Sequence, residues 1–363
     1  MAYHVVLSRF IDFPAIEREV REGLRPRHAM KQLADHLDAT LHWPGGKVGG
    51  LGDRVRSQFI GRPDLWPYAR DLAQKLSRDD VVYCPDEQIG LPLAALCSGR
   101  TNRFGLGVMI HNLDRPRTHA ALRFWPAFRA ADIFMSVSNR QLDFLRDDIG
   151  IDENKIVFVP DQTDLNFFRP GPPKSSKKRP ILVSAGLEKR DYATLAQAVT
   201  GLDVDVCITG FSADSASGSS RFPHDWPDNF VRRRYQWTEL SDLYRNSDIV
   251  VVTLLPNIYA AGVTTMIEGM ASARPIIVTK TEGLAGYLDD TDALTLIPPN
   301  DSNALRQAIL DLLNSPQRLA EQGRRAGEIA AERYGSDTHV ETLGRILRDI
   351  ANDPARRSPV IAR

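Results

Sequence analysis

Two short stretches of this chain place a glycine and several polar side chains just beyond an apolar, strand-like run, where a backbone turn can meet a small anion. The first is Ala260-Ala261-Gly262-Val263-Thr264-Thr265-Met266-Ile267-Glu268, which follows the run DIVVVTLL over 248–255. Gly262 can open a helix. The free N–H groups over Val263, Thr264 and Thr265, with the positive end of the helix dipole, then suit a phosphate. Glu268 lies one turn further along and shares the face of the two threonines. Phosphate repels a carboxylate, whereas the two hydroxyls of a ribose can both donate to one. Ile267, Met270 and Ala271 make this helix apolar around Glu268, which argues against a merely solvated surface glutamate.

The second stretch is Ser184-Ala185-Gly186-Leu187-Glu188-Lys189-Arg190-Asp191-Tyr192. Gly186 ends an apolar run, and Lys189 and Arg190 follow at its carboxyl end. Two adjacent cations there could neutralise a diphosphate as it leaves, a charge that grows in the transition state. The competing reading is a solvated helix start, which the dipole disfavours for cations.

Other polar residues carry weaker signals. His111 and Asn112 end the run LGVMIHN, but a lone histidine is more often structural. The segment Arg115 to Arg129 mixes arginines with Phe124, Trp125 and Phe128. A packed helix broken by Pro126 is the favoured reading there, with contact to anionic lipid or an acidic acceptor as the alternative. The glycine cluster from Pro44 to Gly52 lacks phosphate-loop and dinucleotide spacing and reads as a flexible loop.

Several chemistries have nothing to stand on. No Gly-x-Gly-x-x-Gly turn, His-Glu-x-x-His or Gly-x-Ser-x-Gly motif occurs. Cys84, Cys97 and Cys207 are too few and too scattered for a disulfide framework or a zinc site, which points to a reducing compartment.

The elements that must position these residues are short β-rich runs alternating with amphipathic helical sequence. HVVLSRF (4–10), DVVYCP (80–85), LGVMIHN (106–112), IFMSVS (133–138) and KIVFVP (155–160) form one set, and LDATLHW also looks strand-like. PILVSAG (180–186), VDVCITG (204–210), NFVRRRYQ (229–236), DIVVVTLL (248–255) and RPIIVTK (274–280) form another. Continuous Val/Ile runs mark strands buried on both faces of a parallel sheet. The expected fold is therefore α/β, with two Rossmann-like, doubly wound parallel-sheet domains facing a central cleft. The Pro, Gly, Lys and Ser run at 168–178 divides them. The expected organisation is a first domain over 1–168, a linker over 169–178, a second domain over 179–337, and a helix at about 338–355 that packs back on the first domain. Ser212 to Ser220 reads as a mobile loop, and the final RRSPVIAR as a frayed end.

Composition fits this plan. At 363 residues, two domains are favoured over one, and 42% hydrophobic with 25% charged residues describes a globular chain. Lys+Arg and Asp+Glu are equal at 46 each, so the basic excess of a dedicated nucleic-acid binder is missing. The longest apolar run, Ile249 to Leu255, is far below the roughly 20 residues that span a bilayer. A cytoplasmic protein, at most peripheral to a membrane, is expected.

Taken in order, these residues resemble the retaining glycosyltransferases of family 4 (group 1), which have the GT-B fold. The resemblance rests on four marks along nearly the whole chain. They are Tyr83 to Gly90 with Val108 to Asn112; Ala131 to Gln141 with Val159 to Pro170; Gly186 with Lys189 to Tyr192; and Tyr244 to Val251 with Glu268 to Ala271 and Pro275. It implies a nucleotide-sugar donor bound mainly by the second domain, an acceptor bound mainly by the first, and transfer with the anomeric configuration kept. By that resemblance Glu268 holds the donor ribose, Gly262 to Thr265 face the diphosphate, and Arg190 with Lys189 stabilise its departure. His111 lies beside the transferred sugar, and the loop of Tyr235 to Trp237 flanks the base. No metal is implied, and no cofactor beyond the nucleotide-sugar itself. The acceptor could be a sugar, a lipid-linked glycan or a small molecule.

Three positions depart from the family pattern. Ala260 stands where a glutamate usually contacts the transferred sugar, Leu187 replaces an arginine with Arg190 placed like the usual lysine, and Phe10-Ile-Asp-Phe-Pro-Ala replaces a glycine-rich turn. These departures leave one alternative from another class, a catalytically impaired partner or regulatory subunit that binds the sugar nucleotide.

Overall fold

The computed structural model describes residues 1–100, 102–172, 177–209 and 221–353. The Ser212 to Ser220 stretch, residues 173–176 of the linker and the final RRSPVIAR lie outside the described residues. Contacts divide the chain into two units: Met1–Ala15, His28–Pro160 and the chain from His339 form the first; Ile16–Arg27 and Asp161–Thr338 form the second.

The first unit holds a six-stranded parallel sheet of β1 (Tyr3–Val6), β2 (Thr40–His42), β3 (Val81–Cys84), β4 (Gly105–Ile110), β5 (Ile133–Ser136) and β6 (Ile156–Phe158). Its spatial order is β2-β1-β3-β4-β5-β6. The second holds β7 (Ile181–Ala185), β8 (Asp205–Thr209), β9 (Phe230–Arg232), β10 (Ile249–Val252), β11 (Ile276–Thr279) and β12 (Leu294–Ile297), in the order β12-β11-β10-β7-β8-β9. Both sheets are doubly wound, as the Val/Ile runs require: β3, β4, β10 and β11 are buried along their whole length. The one strand absent from the sequence reading is β12, whose LTLI is only four residues long and half-buried in the middle.

The helices are α1 (Phe13–Arg21), α2 (Ala29–Leu37), α3 (Leu51–Arg56), α4 (Leu65–Lys75), α5 (Glu87–Cys97), α6 (Pro116–Phe124) and α7 (Asn139–Asp143), then α8 (Tyr192–Val199), α9 (Trp237–Asn246), α10 (Val263–Ala271), α11 (Ser302–Leu313), α12 (Pro316–Arg333) and α13 (Ser336–Asn352). In the second unit, residues beyond Asp161 pack before the linker begins. Phe168 is buried edge-on to Tyr244, with ring centroids 5.9 Å apart.

In each sheet the strand order reverses once, between β1 and β3 and between β7 and β10. Connections leave such a point in opposite directions and open a crevice at the carboxyl ends of the strands, where ligands of open α/β sheets bind. Both stretches singled out for their chemistry lie at the second reversal, one after β7 and one after β10. No helix among the described residues is long and apolar enough to cross a membrane.

Candidate functional site

The loops after β7 and β10 are stitched together by backbone. Leu255 N–H donates to the Lys189 carbonyl at 2.8 Å, and Asp191 N–H donates to the Thr253 carbonyl at 3.0 Å, so Arg190 lies opposite Leu254 in a short antiparallel bridge. The bridge turns successive side chains to opposite sides. Lys189, in a left-handed conformation at φ 54°, is half-buried, whereas Arg190 points inward and is 3% exposed. The two adjacent cations are therefore not equivalent: Lys189 is half-buried and Arg190 is buried.

Arg190 is the hub of the site. Its Nε donates to the Ala185 carbonyl at 2.7 Å, Nη1 to the Glu188 carbonyl at 3.1 Å, and Nη2 to the Thr265 hydroxyl at 3.0 Å. Thr265 in turn donates to Ala185 O at 3.1 Å. Burial pulls the guanidinium below its usual pKa, while Tyr192, Tyr244 and Glu188 pull the other way. Two glycine turns close on it. Gly186 has φ 92° and Gly262 φ 87°. A Cβ at Gly186 would sit 2.7 Å from Nη2, and one at Gly262 2.8 Å from a Val252 methyl and 3.1 Å from Nη1. Only glycine meets both the left-handed backbone and the close approach.

Gly262 also begins α10, as expected. Its first turn presents Val263 and Thr265 inward, while Thr264 is exposed and its hydroxyl donates to Asp161 at 3.2 Å. The two threonines therefore face different neighbours, and only Thr265 shares Glu268's buried side. Glu268 is 6% exposed and accepts the Tyr244 hydroxyl at 2.8 Å. Burial pushes its carboxyl from the ordinary 4.5 up to about 7, against the Tyr244 hydrogen bond.

Around this cluster, side chains at strand ends hold buried oxygens that find no hydrogen-bond partner among the described residues: Thr253 Oγ1, Asn257 Oδ1 and Thr281 Oγ1. Buried polar atoms are normally satisfied, so such a concentration fits a crevice built for a polar ligand. Glu188 is exposed, and its carboxylate accepts the Tyr259 hydroxyl at 2.9 Å, beside Ala260 in sequence.

Asp191 lies in the second polar stretch but carries no assigned role there, and Thr194 and Arg221 are not singled out. Asp191 caps α8, accepting Thr194 N–H at 3.0 Å, and the Arg221 guanidinium grips its carboxylate at 2.8 and 2.6 Å. An aspartate three residues before Thr194 at a helix start was a legible cap. Arg221, some 30 residues on, carried no local signal.

Tyr235 is not brought to this cluster. It is half-buried between β9 and α9, with the Arg233 guanidinium 3.8 Å from its ring centroid. His111 belongs to the first unit, exposed at the end of β4. Its Nε2 lies 2.9 Å from the Pro85 carbonyl, and its backbone N–H donates to Glu87 at 3.0 Å. Burial raises the Glu87 carboxyl, with His111 opposing. A cavity of about 370 Å³ opens next to this pair, lined by Glu87, Gln88, Asn112, Arg115 and Arg117 among others. The reading of 115–129 as a packed helix holds for Leu122 and Phe128, which are buried, and is corrected for Phe124 and Trp125, which are exposed. Helix α6 ends at Phe124, and Pro126 opens a short 3-10 turn after Trp125.

Residues 181–315 match the family model described as Glycosyl transferases group 1. Over 120 residues the chain is 33% identical to D-inositol 3-phosphate glycosyltransferase 2 of Catenulispora acidiphila; the match covers 33% of this chain and 27% of that protein. The fold is that of GT-B glycosyltransferases. The sucrose-phosphate synthase of Thermosynechococcus elongatus superposes with a TM-score of 0.68 at 15% identity, covering 96% of this chain and 99% of that one. Anabaena HepE, solved with UDP and glucose, gives 0.66 at 15% identity over 96% and 100%. The second unit is thus similar in sequence to group 1 glycosyltransferases, and the whole chain shares their fold.

Two predictions follow from the geometry. Gly186→Ala and Gly262→Ala should each lower the free energy of unfolding by roughly 1–3 kcal/mol, read by denaturant titration. Glu268 binds its proton more tightly folded than unfolded. The stability tied to its neutral form is thus fully present below pH 4.5 and lost as pH rises through about 7. Glu268→Gln, which still accepts from Tyr244, should flatten the pH dependence of melting between these limits and exceed the wild type at pH 8, by on the order of 2–3 kcal/mol.

Proposed function

We propose that this chain transfers a sugar from a nucleotide-sugar to an acceptor and keeps the anomeric configuration. The observation that carries this reading is the convergence of two positive-φ glycine turns on one buried guanidinium, with Glu268 a turn further into α10.

In this reading the donor diphosphate lies against the N–H groups of Val263, Thr264 and Thr265 at the start of α10, where the helix dipole favours it. The C1–O bond breaks with its electron pair passing to the departing phosphate oxygen. Lys189 and Arg190 stabilise the charge that grows there. The acceptor hydroxyl attacks the anomeric carbon from the face the diphosphate leaves and passes its proton to that phosphate oxygen. No protein nucleophile is needed. Glu268, ionised as it accepts two ribose hydroxyls, fixes the nucleoside, and the buried oxygens of Thr253, Asn257 and Thr281 receive partners from the ligand. Tyr235 flanks the base.

Glu188 takes the sugar-hydroxyl contact that Ala260 cannot make, because Tyr259 holds its carboxylate at that loop. The acceptor enters the cavity of the first unit beside His111 and Glu87. Since HepE was solved with UDP, UDP-sugars are the first donors to test.

Thermal melting against UDP-, GDP-, ADP- and CMP-sugars should show one nucleotide that raises the midpoint. With that donor, Arg190→Ala and Glu268→Ala should lower donor turnover by about 100-fold or more. Wild-type rates in both variants would dismiss the site, and binding without hydrolysis or transfer would point to a binding partner instead. Glu188→Ala should lower kcat/KM by about tenfold with an unchanged melting temperature, whereas an unchanged kcat/KM would remove Glu188 from the sugar contact.

A further inference from the structure

Helix α3 is inside out. Its acidic residue, Asp53, is 4% exposed, its carboxylate gripped by Arg70 at 2.7 Å on each oxygen and accepting Gly50 N–H at 3.1 Å. Arg70 holds that carboxyl below its usual range. Meanwhile Leu51 and Val55, four residues apart and therefore on one face, are 81% and 63% exposed, and Val48, just before the helix, is 84% exposed. A helix normally buries its apolar stripe and wets its charges. Here the polar side anchors the element and the apolar side is held out to solvent.

Phe124, the last residue of α6, and Trp125 just after it are exposed as well, and contacts tie their segment to the residues that follow α3. Gln58, two residues past α3, accepts from Arg117 at 3.1 Å. The Phe59 ring packs edge-on against Trp125 at 5.1 Å, with Phe124 exposed next to it. The same segments concentrate positive charge in a chain whose total is zero. Residues 112–129 hold Arg115, Arg117, Arg123 and Arg129 against Asp114 alone, and α3 adds Arg54 and Arg56 while its one carboxylate is buried and paired. Among the described residues, Arg54, Arg115 and Arg117 lie within ion-pair distance of no carboxylate. Exposed aliphatic and aromatic side chains interleaved with arginines match the boundary of an anionic bilayer, where apolar groups enter the acyl region and cations meet phosphates.

We propose that the surface formed by Val48, Leu51, Val55, Phe124 and Trp125 docks this protein on an anionic lipid membrane, with Arg54, Arg115 and Arg117 contacting headgroup phosphates. Docking does not depend on the proposed transfer reaction. It is tested on the full chain by sedimentation with vesicles of phosphatidylcholine alone and of phosphatidylcholine with phosphatidylglycerol. The protein should bind the mixed vesicles, release them as salt rises, and ignore the neutral ones. Leu51→Ser with Val55→Ser, and separately Arg54→Gln with Arg115→Gln and Arg117→Gln, should each weaken partitioning by about tenfold or more while the melting temperature stays unchanged. Equal binding by wild type and variants, equal binding to both vesicles, or no binding would overturn the proposal. So would self-association that the Leu51/Val55 variant abolishes, which would assign the surface to a second copy of the chain.

Discussion

A guanidinium taken out of water costs several kcal/mol unless its donors are met, and Arg190 is 3% exposed. Its bonds to Ala185, Glu188 and Thr265 tie together the end of β7, the loop that follows it, and the first turn of α10. That requirement shapes the surroundings. Gly186 and Gly262 leave room on both sides of the guanidinium, and the backbone bridge to Leu254 holds Arg190 turned inward. A cation so constrained is pre-organised: the fold fixes its orientation, the condition under which electrostatic stabilisation of a developing charge gains most.

The sheet that carries this hub explains why the site lies where it does. Parallel strands need helical crossovers, the crossovers diverge where the order reverses, and the reversal between β7 and β10 opens the crevice into which both glycine turns project. This much was legible in the sequence, because Val/Ile runs buried on both faces give the strands and the glycines give the turns. The helix at the end of the chain was legible too, since its apolar period continues from Ser336 to Asn352.

What was not legible depends on contacts between distant residues. Adjacent Lys189 and Arg190 look alike in sequence, and only the bridge to the β10 loop decides that one is buried. Tyr244 and Glu268 are 24 residues apart, so their hydrogen bond and the raised carboxyl it adjoins could not be read locally. Helix α3 was hidden for a related reason: its hexamer LGDRVR places Asp53 inside only because Arg70, on another helix, waits there. Short strands such as β12 escape because four residues give too little periodicity.

The proposed reaction requires an anion to meet the α10 turn beside Arg190. A crystal structure of the protein with a bound nucleoside diphosphate tests it directly. The expected result is diphosphate oxygens within hydrogen-bond distance of the N–H groups of Val263 to Thr265 and both ribose hydroxyls on Glu268. A diphosphate seated elsewhere, with Glu268 bonded to Tyr244 alone, would contradict it.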